Sequence, residues 1–176
     1  MYLCFISQKK IHYFRILIFV FKHHLMNTIS LKTAISKILK SNQQITEKLQ
    51  EVTRLLEANI SYYDWVGFYF KNGAKDELKL AQYTGEETEH TIIPFGKGIC
   101  GQVAVSNKNF VVQDVSEQEN YISCGWKVKS EIVIPIFVNG ENIGQIDIDS
   151  HTVNPFTQED ELLLEFVCRE VGQLLQ

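Results

Sequence analysis

The chain has 176 residues, 45% of them hydrophobic and 22% charged, the composition of an ordinary globular protein long enough for one domain around one core. Its net charge of -4 hides an asymmetry: residues 1–25 hold Lys9, Lys10, Arg15 and Lys22 and no acid, leaving 13 basic against 21 acidic residues in the remainder. So acidic a body argues against nucleic acid as the main partner, because phosphate contacts draw on clustered Lys and Arg.

Within "MYLCFISQKKIHYFRILIFVFKHHL" the longest wholly apolar run is "ILIFVF", far short of the roughly 18 residues a membrane span needs. No membrane association is predicted. Basic residues bracket the apolar part and no small-residue cleavage site follows, so the segment does not read as a secretory signal. Residues 1–25 are read as an extension that is either not native or loosely attached, with Met26 as the start and 26–176 as the domain. The four cysteines, at 4, 100, 124 and 168, contain no C-x-x-C pair and are too sparse for a disulfide scaffold. A reducing cytoplasm is the implied setting.

From Ile29 to Ile60 the apolar residues follow helical spacing in two stripes, Leu31, Ile35 and Ile38, then Ile45, Leu49, Val52 and Leu56, divided near Ser41 and Asn42. "YYDWVGFYF" alternates as a strand, with Trp65, Gly67 and Tyr69 on one face and Val66, Phe68 and Phe70 on the other. "LKLAQY" and "NFVVQDV" read as further strands, and "EIVIPIFV" and "NIGQIDID" flank Asn139-Gly140, a strong hairpin signal. A helix start is expected near Cys100, after Gly96 and Gly98. The closing segment has a Thr157-x-x-Asp160 capping box and an apolar stripe of Leu164, Val167, Val171 and Leu174. Terminal helices must cover an antiparallel sheet to hide their stripes, which makes the fold α+β.

Cys100 stands at that helix start beside Lys97, where exposed amides and the helix dipole favour a thiolate. A small hydrophobe packed at a tight helix-strand approach is the alternative. Cys124, in "ENYISCGWKVKSE", has Lys127 and Lys129 close behind it; it is either a nucleophile or an ordinary loop thiol. Cys168 falls in the apolar stripe of the last helix and reads as core. Asp147 and Asp149 leave one face of their strand, with Glu131 across the hairpin. If half-buried these acids repel and raise a pKa; if they point into water the pair means nothing. The histidines show no metal spacing, and no P-loop, Rossmann fingerprint or serine elbow occurs. No metal or bound cofactor is expected.

"DWVGFYF", "IPFGKGICGQVA", "VVQDV", "SEIVIPIFVNGENIGQIDIDS" and "NPFTQEDELLLE" resemble, in that order, the GAF-domain family of free methionine (R)-sulfoxide reductases. The likeness runs from about Asn27 to the C-terminus and implies a single GAF domain. It implies reduction of free methionine sulfoxide of R configuration, with thioredoxin or another thiol as reductant. The family's last cysteine, the nucleophile, falls on Cys124 and its middle one on Cys100. Its first, the usual resolving thiol, falls on position 90, where this chain has His90. The acidic trio falls on Glu131, Asp147 and Asp149, and the aromatic pocket residues on Trp65 and Tyr69. With His90 in the resolver's place, Cys100 is expected to resolve a Cys124 sulfenic acid. The rival reading is a GAF module that binds a small ligand without chemistry. A homodimer through the terminal helices is compatible with either.

Overall fold

A computed structural model describes residues 28–120 and 127–176. Met26 and the loop segment carrying Cys124 lie outside the described residues. The chain divides into two compact units, Met1–Ala34 and Ile35–Gln176; in the first, residues 28–34 are helical. The second unit holds the rest of the fold.

It opens with helical residues 35–39 (α1), followed by α2, Ile45–Asn59. Helix α2 begins at a capping box in which Gln44 and Glu47 each satisfy the other's backbone amide. Six antiparallel strands follow in the order β3-β2-β1-β6-β5-β4 across the sheet: β1 Trp65–Lys71, β2 Glu77–Thr84, β3 Ile92–Pro94, β4 Phe110–Val112, β5 Ser130–Val138 and β6 Glu141–Ser150. Helix α3, Gly98–Ser106, lies between β3 and β4, and α4, Gln158–Leu174, closes the chain. The fold is α+β, as the sequence pattern implies.

The period of two sorts the strands cleanly. In the central register Val66 pairs with Ile148 and Ile148 with Ile132, and Phe68 pairs with Ile146 and Ile146 with Ile134. This puts six apolar side chains on one face, each buried to 2% exposure or less. Burying each such side chain contributes about 1.5 to 3 kcal/mol relative to leaving it in water. Helix α4 lies on this face: Cys168 Sγ donates to the Ile134 carbonyl, and a Cβ on Gly172 would stand 2.4 Å from the Phe137 carbonyl oxygen. The sequence reading of Cys168 as core is correct; burial pushes its thiol pKa well up. Asp160 ties the two ends of the domain together, accepting from the Tyr62 and Tyr63 hydroxyls with one oxygen and from Thr157 N and Oγ1 with the other.

The Asn139-Gly140 turn has positive φ at both residues, as a two-residue hairpin requires. The strand expected over "NFVVQDV" stops at Val112. Asp114 ends it, because its carboxylate accepts from Ser116 N and Oγ and turns the chain into a 3-10 helix, Val115–Glu117.

Candidate functional site

The opposite face of the same three central strands carries a row that is not apolar. Trp65 pairs with Asp149 and Asp149 with Glu131; Gly67 pairs with Asp147 and Asp147 with Val133; Tyr69 pairs with Gln145. The alternation that buries isoleucines on one side therefore plants three carboxyls and two aromatic rings on the other. Helix α3 packs over this face. Gly98, its first residue, has φ +62, a left-handed conformation that glycine adopts without a Cβ clash, and the bend it makes brings Cys100 down onto the acids. Asn120 pins the turn, donating to the Gly96 carbonyl and accepting from Gly98 N.

Cys100 Sγ donates to Asp147 Oδ2 at 3.2 Å. Its sulfur and one oxygen each of Glu131 and Asp147 lie within 4.8 Å of one another. The helix start was expected to favour a thiolate here; the hydrogen bond instead presents a thiol as donor to a buried acid. Dipole and acid act in opposition, and the acid is in direct contact. Cys100 also belongs to the apolar cluster formed by Ile99, Val103, Leu78 and Val133, so the packing alternative describes its surroundings as well.

The acids are not solvated. Glu131, Asp147 and Asp149 are each at most 3% exposed. Burial raises all three above the ordinary carboxylate range, Asp147 to about 7, with the Cys100 hydrogen bond opposing the rise. Glu131 and Asp149 are raised well above their usual values, first by burial and then by repulsion from their neighbours. Among the described residues, Asp147 Oδ1 and Asp149 Oδ1 have no hydrogen-bond partner, an arrangement that calls for an explanation in a folded core. A small cation would fit the spacing, but protonated carboxyls and a thiol are poor ligands until they lose their protons.

Both orphan acids line a cavity of about 130 Å³ whose walls include Trp65 and Tyr69 and whose rim includes Lys127 and His151. The indole of Trp65 stacks on Tyr83 with ring centroids 5.5 Å apart and donates from Nε1 to the Glu86 carbonyl. Gly67 makes its seat: a Cβ there would lie 2.1 Å from the indole ring. Gly67→Ala is therefore expected to push the indole out of place, a change that Trp fluorescence would detect. The rim carries both signs, since Lys127 pairs with Glu86, and His151 Nδ1 lies 3.2 Å from Asp64 Oδ1.

A second cavity, of about 10 Å³, touches the acid cluster elsewhere and is lined by His90, Ile93, Lys97, Cys100 and Glu131 among others. Tyr69 Oη donates to the His90 carbonyl at 2.8 Å.

The GAF domain profile matches residues 42–175. The free methionine-R-sulfoxide reductase of Escherichia coli is 32% identical over 127 residues, which cover 72% of this chain and 75% of that one. The chain belongs to the GAF-domain family of free methionine-R-sulfoxide reductases. GAF domain-containing protein A of Dictyostelium discoideum is 37% identical over 128 residues, 73% of this chain and 78% of the relative. Among solved structures, the free methionine-R-sulfoxide reductase of Neisseria meningitidis in complex with its substrate superposes with a TM-score of 0.79 at 31% identity, covering 84% of this chain and 87% of that one.

In this GAF domain the described candidates converge: Trp65, Tyr69, Cys100, Glu131, Asp147 and Asp149 share one face of the sheet or the helix packed on it. Cys124 lies outside the described residues. Three polar residues that the sequence did not assign to the site also belong here. Gln145 is fully buried on the same face, and neither end of its amide has a partner among the described residues. It was legible as the next step of the alternation that gave Asp147 and Asp149. Asp64 and His151 sit at the rim only because Trp65 pairs with Asp149, a register that no local pattern announces.

Proposed function

We propose that the protein reduces free methionine (R)-sulfoxide to methionine. The observation that carries the reading is the pair of buried acids, Asp147 and Asp149, each with one carboxyl oxygen that has no partner among the described residues, in the wall of a cavity shared with Trp65. A sulfoxide is a strong hydrogen-bond acceptor whose oxygen departs only when protonated, and a carboxyl of raised pKa is a donor at neutral pH. Aromatic faces suit the methyl and sulfur end. The mixed charges of the rim, with the remaining acids, suit the zwitterionic end of a free amino acid.

In the proposed cycle the Cys124 thiolate attacks the sulfoxide sulfur while Asp149 protonates the oxygen. The sulfur-oxygen bond of the substrate breaks, methionine leaves, and the oxygen remains on Cys124 as a sulfenic acid. Cys100 then attacks the sulfenic sulfur. A Cys100-Cys124 disulfide forms, water departs with the Cys100 proton, and thioredoxin or a small thiol reduces the disulfide. A cytoplasmic setting and a homodimer through the terminal helices belong to the same proposal.

The deciding experiment mixes the reduced protein with each diastereomer of free methionine sulfoxide and follows methionine release. Release from the R diastereomer alone is the expected outcome. The presence of His90 where a resolving cysteine was expected favours, as a second reading, a GAF module that binds a small ligand without chemistry. That reading takes precedence if neither diastereomer yields methionine.

A further inference from the structure

The cycle requires protons at a buried place. Forming the sulfenic acid from a thiolate takes up one proton with the oxygen, and the carboxyl that gives it must be recharged before the next turnover. The cavity of about 130 Å³ borders Asp147 and Asp149, but bound substrate would fill that space during the reaction. Glu131 and Cys100 border the smaller cavity of about 10 Å³ instead, room for about one water. His90, half-buried, lines that cavity together with them.

Its backbone is held from both sides: His90 N donates to Thr88 Oγ1 at 3.1 Å, and its carbonyl accepts from Tyr69 Oη at 2.8 Å. The latter bond fixes His90 to the wall of the substrate cavity, since Tyr69 lines that wall. Among the described residues, the other ionisable groups at the small cavity are Lys97, Cys100 and Glu131, and Asp147 stands behind Cys100. Of these, the imidazole is the side chain with two ring nitrogens, one able to accept a proton while the other donates one, so it is built to pass a proton on.

We propose that His90 carries protons between solvent and the Cys100, Glu131 and Asp147 cluster through a water in the small cavity. As imidazolium it gives a proton to the cluster, and Glu131, paired across the strands with Asp149, passes on to Asp149 the proton that Asp149 gives to the departing oxygen; the neutral ring then takes another from solvent. No electrons move in this step, and the proton count closes with each turnover. The inference rests on the reductase reading, and makes His90 a proton-transfer residue acting through the cluster.

The test compares the wild type with His90→Gln and His90→Ala, using an excess of a small dithiol so that reductant supply is not limiting. Both variants are expected to lose about tenfold in kcat, less than the loss of a group in direct contact with substrate, with KM little changed. Added imidazole is expected to restore His90→Ala. An unchanged pH profile, or the absence of imidazole rescue, would overturn the proposal. A second measurement is independent of turnover: the rate at which methyl methanethiosulfonate modifies Cys100, followed by mass spectrometry across pH. Wild type is expected to react about tenfold faster than His90→Gln at neutral pH, because the water-linked imidazole accepts the thiol proton. Equal rates and equal pH profiles would count against His90 even if no methionine sulfoxide is reduced, whereas failure of the wild type to release methionine with a clear His90 effect on Cys100 would indict only the reductase reading.

Discussion

Asp149→Asn is expected to lower kcat for methionine release by about 10²- to 10⁴-fold while making the domain's stability less sensitive to rising pH. The activity loss follows from the chemistry of the group. An amide keeps the shape of the side chain and can still donate a hydrogen bond, yet it cannot give a proton to a departing oxygen. The stability effect follows from burial. Asp149 is raised well above its usual value by desolvation first, then by Asp147 and Asp64. A carboxyl whose folded pKa exceeds its unfolded one binds more protons folded than unfolded, so stability falls as pH rises from the unfolded value through the folded one. For Asp147 that window runs from about 4 to about 7. The wild type should thus melt progressively lower as pH rises from about 4 towards about 7, and Asp149→Asn should remove part of that slope. The decisive quantity is the difference in Tm between variant and wild type at acid and at mildly alkaline pH. It should become more positive as pH rises. A difference that does not depend on pH would mean that the carboxyl ionises as easily in the folded protein as in water, which would also deprive the mechanism of its acid.

Those same acids illustrate what a sequence conveys. Asp147 and Asp149 are two apart on a strand with Ile148 between them, and period two alone puts them on one face. The hairpin at Asn139-Gly140 then fixes the register that brings Glu131 opposite Asp149. What the pattern could not tell was whether this face met water. Solvated acids and buried acids have the same alternation; the difference is made by α3, whose residues "GICGQVAVS" are apolar almost all round. Such a segment gives no helical stripe to read, because it is covered on more than one side. Its start was legible from Gly96 and Gly98, and its packing was not.

The same limit applies to Cys100. A helix dipole is a local property and can be inferred from a turn, so the sequence points to a thiolate. The hydrogen bond to Asp147 joins residues 47 apart in the chain, and it determines the proton's position at closer range. Strand β3 was missed for a related reason: three residues, Ile92–Pro94, pair only with Glu77 to Lys79 of β2, too short a run to display a period. The outer helices fared better. Their stripes face a single partner surface, and both the Thr157 to Asp160 box and the apolar spacing of α4 are visible in the sequence.

Cys124→Ser is expected to abolish methionine release from the first turnover onward, by about 10⁴-fold or more, whereas Cys100→Ser should release one equivalent and then stall with thioredoxin. Serine can take over the hydrogen bond to Asp147, so the second substitution removes a resolving sulfur with little disturbance of the acids. The contrast separates attack from recycling. A hydroxyl cannot form a disulfide, so in Cys100→Ser the sulfenic acid on Cys124 should persist long enough to be trapped with dimedone, and a small thiol that attacks it directly should restart turnover. In the wild type the thiol count should fall by two after one turnover, and peptide mapping should recover Cys100 linked to Cys124. Steady turnover of Cys100→Ser with thioredoxin at the wild-type rate would show that reductant reaches the sulfenic acid unaided. Cys100 would then be a packing residue that donates to Asp147, and His90 would occupy the place of a resolving thiol in a cycle that needs none.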